Sequence, residues 1–379
     1  MGLLAPGRSA TPASRVLECV RSGGTVAREE IVRRTGLSAA TVARAVSTLV
    51  AAGMLRYRPD HSGVRTPGRP STPVEIDDRR FGVIGLHLGW RATTVSFADL
   101  TGKVIASWVH EVPAADLDLA RVGEWVVELL STQPGRQPLA VGVVAPWRDA
   151  PWTETAVSDA LRELLGLDLA SADHVAAMAA AEFLDHRQGS TPGVTAYLYA
   201  RDTAGVVLVE ETDDRVELSR LTSLVHYPTG ESAPCACGRT GCLIATVGDH
   251  AVAARAVADG IVPEPRIEQV LSAAEAGDPA ARRLLGERAR ILGRIAADVR
   301  DMVDPDRLVL VGQAFTGYPT ALSDTVAELR SRTLLGDIDI SVTRFGSAIQ
   351  AIASCTVALG PVYRSPLELV PKRPAVASA

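Results

Sequence analysis

Three of the chain's five cysteines fall within eight positions, as Cys235, Cys237 and Cys242. Zinc takes four soft or borderline ligands in a tetrahedron, and a Cys-x-Cys turn with a third Cys five residues on presents three thiolates to one ion. Gly238 and Gly241 let the backbone fold around it. Cys235 and Cys237 stand too close for an easy mutual disulfide. His226, a short way upstream, is the natural fourth ligand. Four protein ligands leave no open coordination position, so a zinc here is structural and not catalytic. The competing reading is a loop of free thiols. In a reducing compartment an odd, clustered set of cysteines points to metal before disulfide.

A second constellation is made of arginines. Residues 1–80 hold 13 Arg against 7 acidic residues, a balance of +6, while the remainder carries −11 and the whole chain −5. A basic head on an acidic body separates a module that faces polyanions from one that does not. The head's pattern gives that charge a purpose. The stretch TPASRVLECVRSGG predicts a helix with Pro12 in its first turn and Val16, Leu17 and Val20 inward. VAREEIVRRTG predicts a second, with Ile31 and Val32 inward and Gly36 making the tight turn of a helix-turn-helix. Leu37 plugs the core, and Ser38 caps a third helix that buries Val42, Val46, Leu49 and Val50.

That third helix begins with Ala39, Ala40 and Thr41, small enough for close approach to base edges, and carries Arg44 one turn later. A Gly/Pro-rich excursion between two short strands then reads as a wing, with Arg65 and Arg69 placed to meet phosphate or the minor groove. The DNA-contact set is therefore Ser38, Ala39, Ala40, Thr41, Arg44, Arg65 and Arg69. A three-helix docking domain that never touches DNA is the alternative, and the charge and the wing count against it.

The remaining residues must fold around other work. A chain of 379 residues exceeds one ordinary core, and 47% hydrophobic content with few aromatics fits an α/β body. From Arg80, three strand-like runs with turns at Gly89–Trp90 and Thr101–Gly102 precede alternating helices and strands. A second block of similar construction opens at VTAYLYARDTAGVVLVE and includes a long helix, DPAARRLLGERARILGRIAADVRDMV. No apolar run reaches the roughly 18 residues needed to span a bilayer, and no signal peptide is visible. The expectation is a cytoplasmic protein.

The head joined to a body containing HYPTGESAPCACGRTGC resembles the ROK family (repressors, open reading frames and sugar kinases). The resemblance covers essentially the whole chain. It implies a winged helix-turn-helix at residues 1–78, then a two-lobed actin/hexokinase-like (ribonuclease H-like) α/β body. The first lobe would span 79–190. The second, 191–379, would hold the zinc segment and send its C-terminal helix back to the first.

The same resemblance argues against phosphoryl transfer. The family's phosphate loop, Asp-x-Gly-Gly-Thr, matches His87-Leu88-Gly89-Trp90-Arg91, so an acid becomes His and a Gly becomes Trp. The Asn-Asp pair that opens a helix in the kinases matches Asp173–His174, and the Glu of the sugar segment matches Ser223. The Glu after Cys-Leu is Ile244, and the adenosine-side Gly-Gly is partly kept as Gly312–Gln313. The expectation is a regulator that is not an enzyme: a repressor binding a double-stranded operator as a homodimer or higher homo-oligomer. His87, Asp173, His174 and Ser223 mark a candidate cleft for a small effector of unknown class. A sugar kinase with an appended head and a pure interaction scaffold are the competing readings.

Overall fold

The computed structural model describes residues 11–59, 72–113, 116–148, 152–186, 192–212, 216–343 and 345–371. The chain divides into two compact units, Met1–Gly189 with Ala348–Ala379, and Ser190–Ser347. Among the described residues no single helix is long and apolar enough to cross a membrane.

Three helices open the first unit, α1 (Pro12–Gly23), α2 (Arg28–Thr35) and α3 (Ala39–Ala52). Thr11 caps α1 by accepting the Ser14 N–H, and Pro12 sits in the first turn, where its missing N–H is harmless. Gly36 ends α2 at φ 65°, a left-handed conformation that a Cβ would strain. Across that turn α2 and α3 are bent by 116°, within the range of a helix-turn-helix. Val16, Leu17, Val20, Ile31, Val42, Val46 and Leu49 are fully buried between the helices. Val32, Leu37 and Val50, expected inside, are half-buried and pack at the rim of this core. β1 (Leu55–Tyr57) and β2 (Val74–Ile76) pair antiparallel as the base of the wing. Arg65 and Arg69 lie outside the described residues.

The body of the first unit runs β3 (Phe81–Leu88), β4 (Thr93–Asp99), β5 (Val104–His110), α4 (Leu119–Ser131), β6 (Gln137–Ala145), α5 (Glu154–Leu165), β7 (Asp168–Asp173) and α6 (His174–His186). The sheet order is β5-β4-β3-β6-β7, with β3, β6 and β7 parallel and the β3–β4–β5 meander antiparallel. β3 is buried at all eight residues, as a strand covered on both faces must be. β7 escapes a pattern reading because DLASAD has no run of large apolar residues, and it holds its place by pairing with β6 at the sheet edge.

The second unit contains β8 (Gly193–Ala200), β9 (Ala204–Glu211), β10 (Val216–Leu218), β11 (Thr222–Ser223), α7 (Leu243–Val247), α8 (Asp249–Ala258), α9 (Ile267–Glu275), α10 (Pro279–Val303), β12 (Arg307–Val311), α11 (Gln313–Thr316), α12 (Leu322–Arg332) and β13 (Asp339–Val342). Its sheet, β10-β9-β8-β12-β13 with β11 also on β9, again joins an antiparallel hairpin to parallel strands. Asp278 caps α10 by accepting two backbone N–H groups. Inside, Arg288 of α10 donates to the Val247 carbonyl at 2.8 Å and to Asp249, which is fully buried. That pair ties α10 to the start of α8.

The chain then re-enters the first unit as α13 (Ile349–Arg364) and α14 (Pro366–Leu369). α13 lies across β3, β6 and β7. It comes so close that a Cβ on Gly85 would stand 2.5 Å from Ser354 Oγ and 2.8 Å from the Cys355 nitrogen. At the other end of α13, Tyr363 is buried and its hydroxyl donates to the Leu100 carbonyl. The Ser14 hydroxyl of α1 donates to the Tyr363 carbonyl at 2.5 Å, and the Arg21 guanidinium lies 5.2 Å from the Tyr363 ring centre. One apolar cluster consequently runs from Leu17, Leu49 and Met54 of the head through Phe81 and Leu139 to Ala358 and Val362.

Candidate nucleic-acid interface and metal centre

α3 presents its first turn outward because its apolar residues are spaced to face α1 and α2. Ser38 caps it, its Oγ accepting the Thr41 N–H at 3.2 Å and lying 2.8 Å from the Thr41 hydroxyl. Both hydroxyls are thereby engaged in holding the helix start. Ser38, Ala39, Ala40 and Arg44 are exposed, and Thr41 is half-buried. Ser47 is also exposed, three positions after Arg44 on the same face. The contact set expected from the sequence ends at Arg44 on this helix and omits Ser47, although the i, i+3 spacing was legible.

The other arginines of the head's described residues have partners. Arg15 donates to the Thr35 carbonyl, Arg21 pairs with Glu18 at 2.6 Å, and Arg28 donates to the Tyr57 hydroxyl at 3.0 Å. Arg33 and Arg34 share Glu30, whose carboxyl is held down at about 2 by hydrogen bonds from Arg33 and Arg34. Arg56 and Arg58 share Glu75, Arg79 pairs with Asp77, and Arg80 lies over the Phe81 ring at 4.8 Å. Among the described arginines of the head, only the Arg44 side chain has no hydrogen bond, ion pair or ring contact; its carbonyl accepts from the Thr48 hydroxyl. Its side chain is exposed, and a guanidinium carries five N–H donors.

In the second unit, the ligand atoms of His226, Cys235, Cys237 and Cys242 all lie within 4.8 Å of one another. Cys237 Sγ is 3.6 Å from Cys242 Sγ, and Cys235 Sγ is 3.7 Å from His226 Nδ1. With Zn–S near 2.3 Å, the S···S edge of a tetrahedron is about 3.8 Å, so this spacing fits one zinc. The backbone builds the cup. The Gly238 N–H returns to the Cys235 carbonyl and the Cys235 N–H donates to the Arg239 carbonyl. Gly238 and Gly241 both take positive φ, and a Cβ on Gly241 would collide with the Glu231 carbonyl. The Arg239 backbone N–H and guanidinium hold the Cys237 thiol down to about 6, while burial pushes the Cys242 thiol up to about 11.

A third cluster lies in the first unit. His87, near the end of β3, and His174, at the start of α6, are buried, with His87 Nε2 2.6 Å from His174 Nδ1. One imidazole must donate and the other accept, so the hydrogen bond requires at least one neutral ring. Asp173 ends β7 and accepts the Val175 N–H at 3.0 Å. The cluster sits at the carboxyl ends of parallel strands, the usual ligand position in open α/β sheets. Ser223 lies in the second unit, exposed on β11 and paired with Gly205.

The ROK family pattern matches residues 142–349, and the IclR helix-turn-helix domain matches residues 9–59. The chain belongs to the ROK family. It is 34% identical to a transcriptional regulator of Mycobacterium tuberculosis over 95% of this chain and 87% of that one. It is 22% identical to the DNA-binding transcriptional dual regulator NagC of Escherichia coli, over 76% of this chain and 77% of NagC. Among solved structures, a ROK family transcriptional regulator described as a homologue of the Escherichia coli MLC protein superposes with TM-score 0.75 at 19% identity, covering 94% and 98% of the two chains. A ROK family glucokinase from Streptomyces griseus superposes with TM-score 0.61 at 17% identity, covering 73% of this chain and 99% of its own.

This ROK chain thus carries a helix-turn-helix head on an actin-like body, the architecture of a DNA-binding transcriptional regulator. The two histidines that stand where the family resemblance places acids prove to be each other's partner. Compared with the family one position at a time, they look like two separate losses. In space they are one replacement, a hydrogen-bonded imidazole pair for two carboxylates.

Proposed function

We propose that this ROK protein is a sequence-specific repressor that reads a duplex operator with α3, binds as a homodimer and transfers no phosphate. The observation that carries the reading is Arg44, the one described arginine of the head without a partner, on the outward face of the second helix of a helix-turn-helix. Two copies would place two such helices about one DNA turn apart. The reading implies a cytoplasmic protein. An operator-length duplex should bind with a logarithmic salt slope of about −0.9 per phosphate neutralised. Arg44→Ala should weaken specific binding by about 1–3 kcal/mol, read by fluorescence anisotropy. Wild-type affinity in that variant would overturn the placement of the reading head.

His226, Cys235, Cys237 and Cys242 are, in this reading, the ligands of one structural zinc. Protein purified without chelator should carry about one zinc per chain, and Cys237→Ser with Cys242→Ser should lose it while destabilising the second unit. Metal far below one per chain in the wild type would remove the site. His87, Asp173 and His174 are the effector-facing residues of the first unit. A His–His pair in place of carboxylates supports the absence of kinase activity, because it supplies no acid to bind a sugar hydroxyl or to orient it for attack. Hexose-dependent ADP release, abolished by His174→Ala, would instead establish the kinase reading.

A further inference from the structure

Resting on that DNA-binding reading, we propose that α3 recognises a half-site built on a single guanine flanked by thymines, with Arg44 on the guanine and the methyl groups of Ala40 and Ala43 on the thymines. At 3.6 residues per turn, Ala40, Ala43, Arg44 and Ser47 share about 100° of the helix surface. Ala40, Arg44 and Ser47 are exposed, Ala43 is half-buried, and the opposite face carries the buried Val42, Ala45, Val46 and Leu49.

Within that face the hydrogen-bonding inventory is short. Alanine side chains offer only a methyl group, whose one sequence-dependent partner in the major groove is the thymine C5-methyl. Ser38 and Thr41 hydrogen-bond to the start of the helix and to each other. Thr48 donates to the Arg44 carbonyl at 3.0 Å. Ser47 adds one hydroxyl, one turn beyond Ala43 and two turns beyond Ala40. Arg44 is therefore the only group on the stripe with a planar fork of donors, and that fork matches guanine O6 and N7 two-to-two.

Its position selects base over phosphate. Phosphates flank a helix lying in the groove, whereas Arg44 has Ala40 one turn before it and Ser47 one turn after on the face that looks into the groove. Sequence discrimination should consequently concentrate on one guanine per half-site. The neighbouring steps should be read for methyl groups alone, a weaker preference.

The test puts its probes on the DNA, so the full-length protein stays intact. Duplexes selected by the wild-type chain from a random library would be resynthesised with 7-deazaguanine for the recurrent guanine, which removes N7, or with uracil for adjacent thymines, which removes the methyl. Anisotropy should show a loss of about tenfold or more for 7-deazaguanine and a smaller loss for each uracil. Arg44→Ala should become insensitive to the 7-deazaguanine, because no donor is left to meet N7. Full affinity for the 7-deaza duplex, or an Arg44→Ala defect equal on all sequences with a salt slope reduced by about one, would assign Arg44 to a phosphate and overturn the proposal. Selection of no duplex at all would instead remove the DNA-binding reading on which it rests.

Discussion

Substituting alanine for Gly142 is expected to destabilise the first unit by about 3 kcal/mol, the upper end of the range for an overpacked core. Gly142 lies in β6 directly beneath α13, and an added Cβ would collide with the Ser354 carbonyl, stand 2.5 Å from the Ala358 nitrogen and 3.0 Å from its Cα. All three atoms are backbone, so no side chain can swing aside to make room. The opposing gain is the lower entropy of an unfolded chain with alanine, about 0.4–1 kcal/mol, too small to offset the clash. Gly336→Ala provides the contrast, because nothing lies within 4 Å of its Cβ and its φ is ordinary. That variant should stay within about 0.5 kcal/mol of wild type. Urea denaturation of the two full-length variants checks both values. A Gly142→Ala protein as stable as wild type would mean that α13 does not seat on β6.

Tyr363→Ala should remove about 3–5 kcal/mol, the range for deleting a buried aromatic ring, and should loosen the head together with the sheet. Tyr363 is 6% exposed, and three contacts converge on it from both sides. Its hydroxyl donates to the Leu100 carbonyl, its own carbonyl accepts from Ser14, and Arg21 stands over its ring. Burial pushes the phenol well above its ordinary pKa, so it remains a neutral donor throughout the working pH range. Tyr363→Phe deletes only the hydroxyl and should lose about 1 kcal/mol. Amide hydrogen exchange separates the two expectations, since α1 and β4 should lose protection together in Tyr363→Ala. Loosening of α1 with β4 unchanged would show that the head folds independently of the sheet.

The head shows how much a pattern can carry. Its helix limits follow from local signals in Thr11, Pro12, Gly36, Ser38 and Gly53, each acting within a turn of itself. Val32 and Leu37 depart from expectation because apolar spacing identifies a face without saying how much of it the neighbours cover. β7 was illegible for another reason. DLASAD has no periodic apolar run, and its strand conformation is imposed by hydrogen bonds to β6.

The candidate sites divide along the same line. Cys235, Cys237 and Cys242 are close in sequence, so their convergence needed only two permissive glycines, and the spacing announced it. The outward position of Arg44 was legible, because helical periodicity fixes which side of α3 it occupies. That it has no partner while Arg33 and Arg34 share Glu30 depended on how α2 is charged along its own surface.

What the sequence determined by itself was local: three helices and a tight turn, and a loop that brings three cysteines together. The tertiary structure alone decided what meets across long separations. It joined His87 to His174, seated Ser354 and Ala358 on Gly85 and Gly142, and locked Ser14 to Tyr363 across 349 positions. The physical reason is that turns, caps and helix faces are governed by neighbours a few residues away. The pairing of distant side chains is governed by which surfaces exclude water together, and no short stretch of sequence records that.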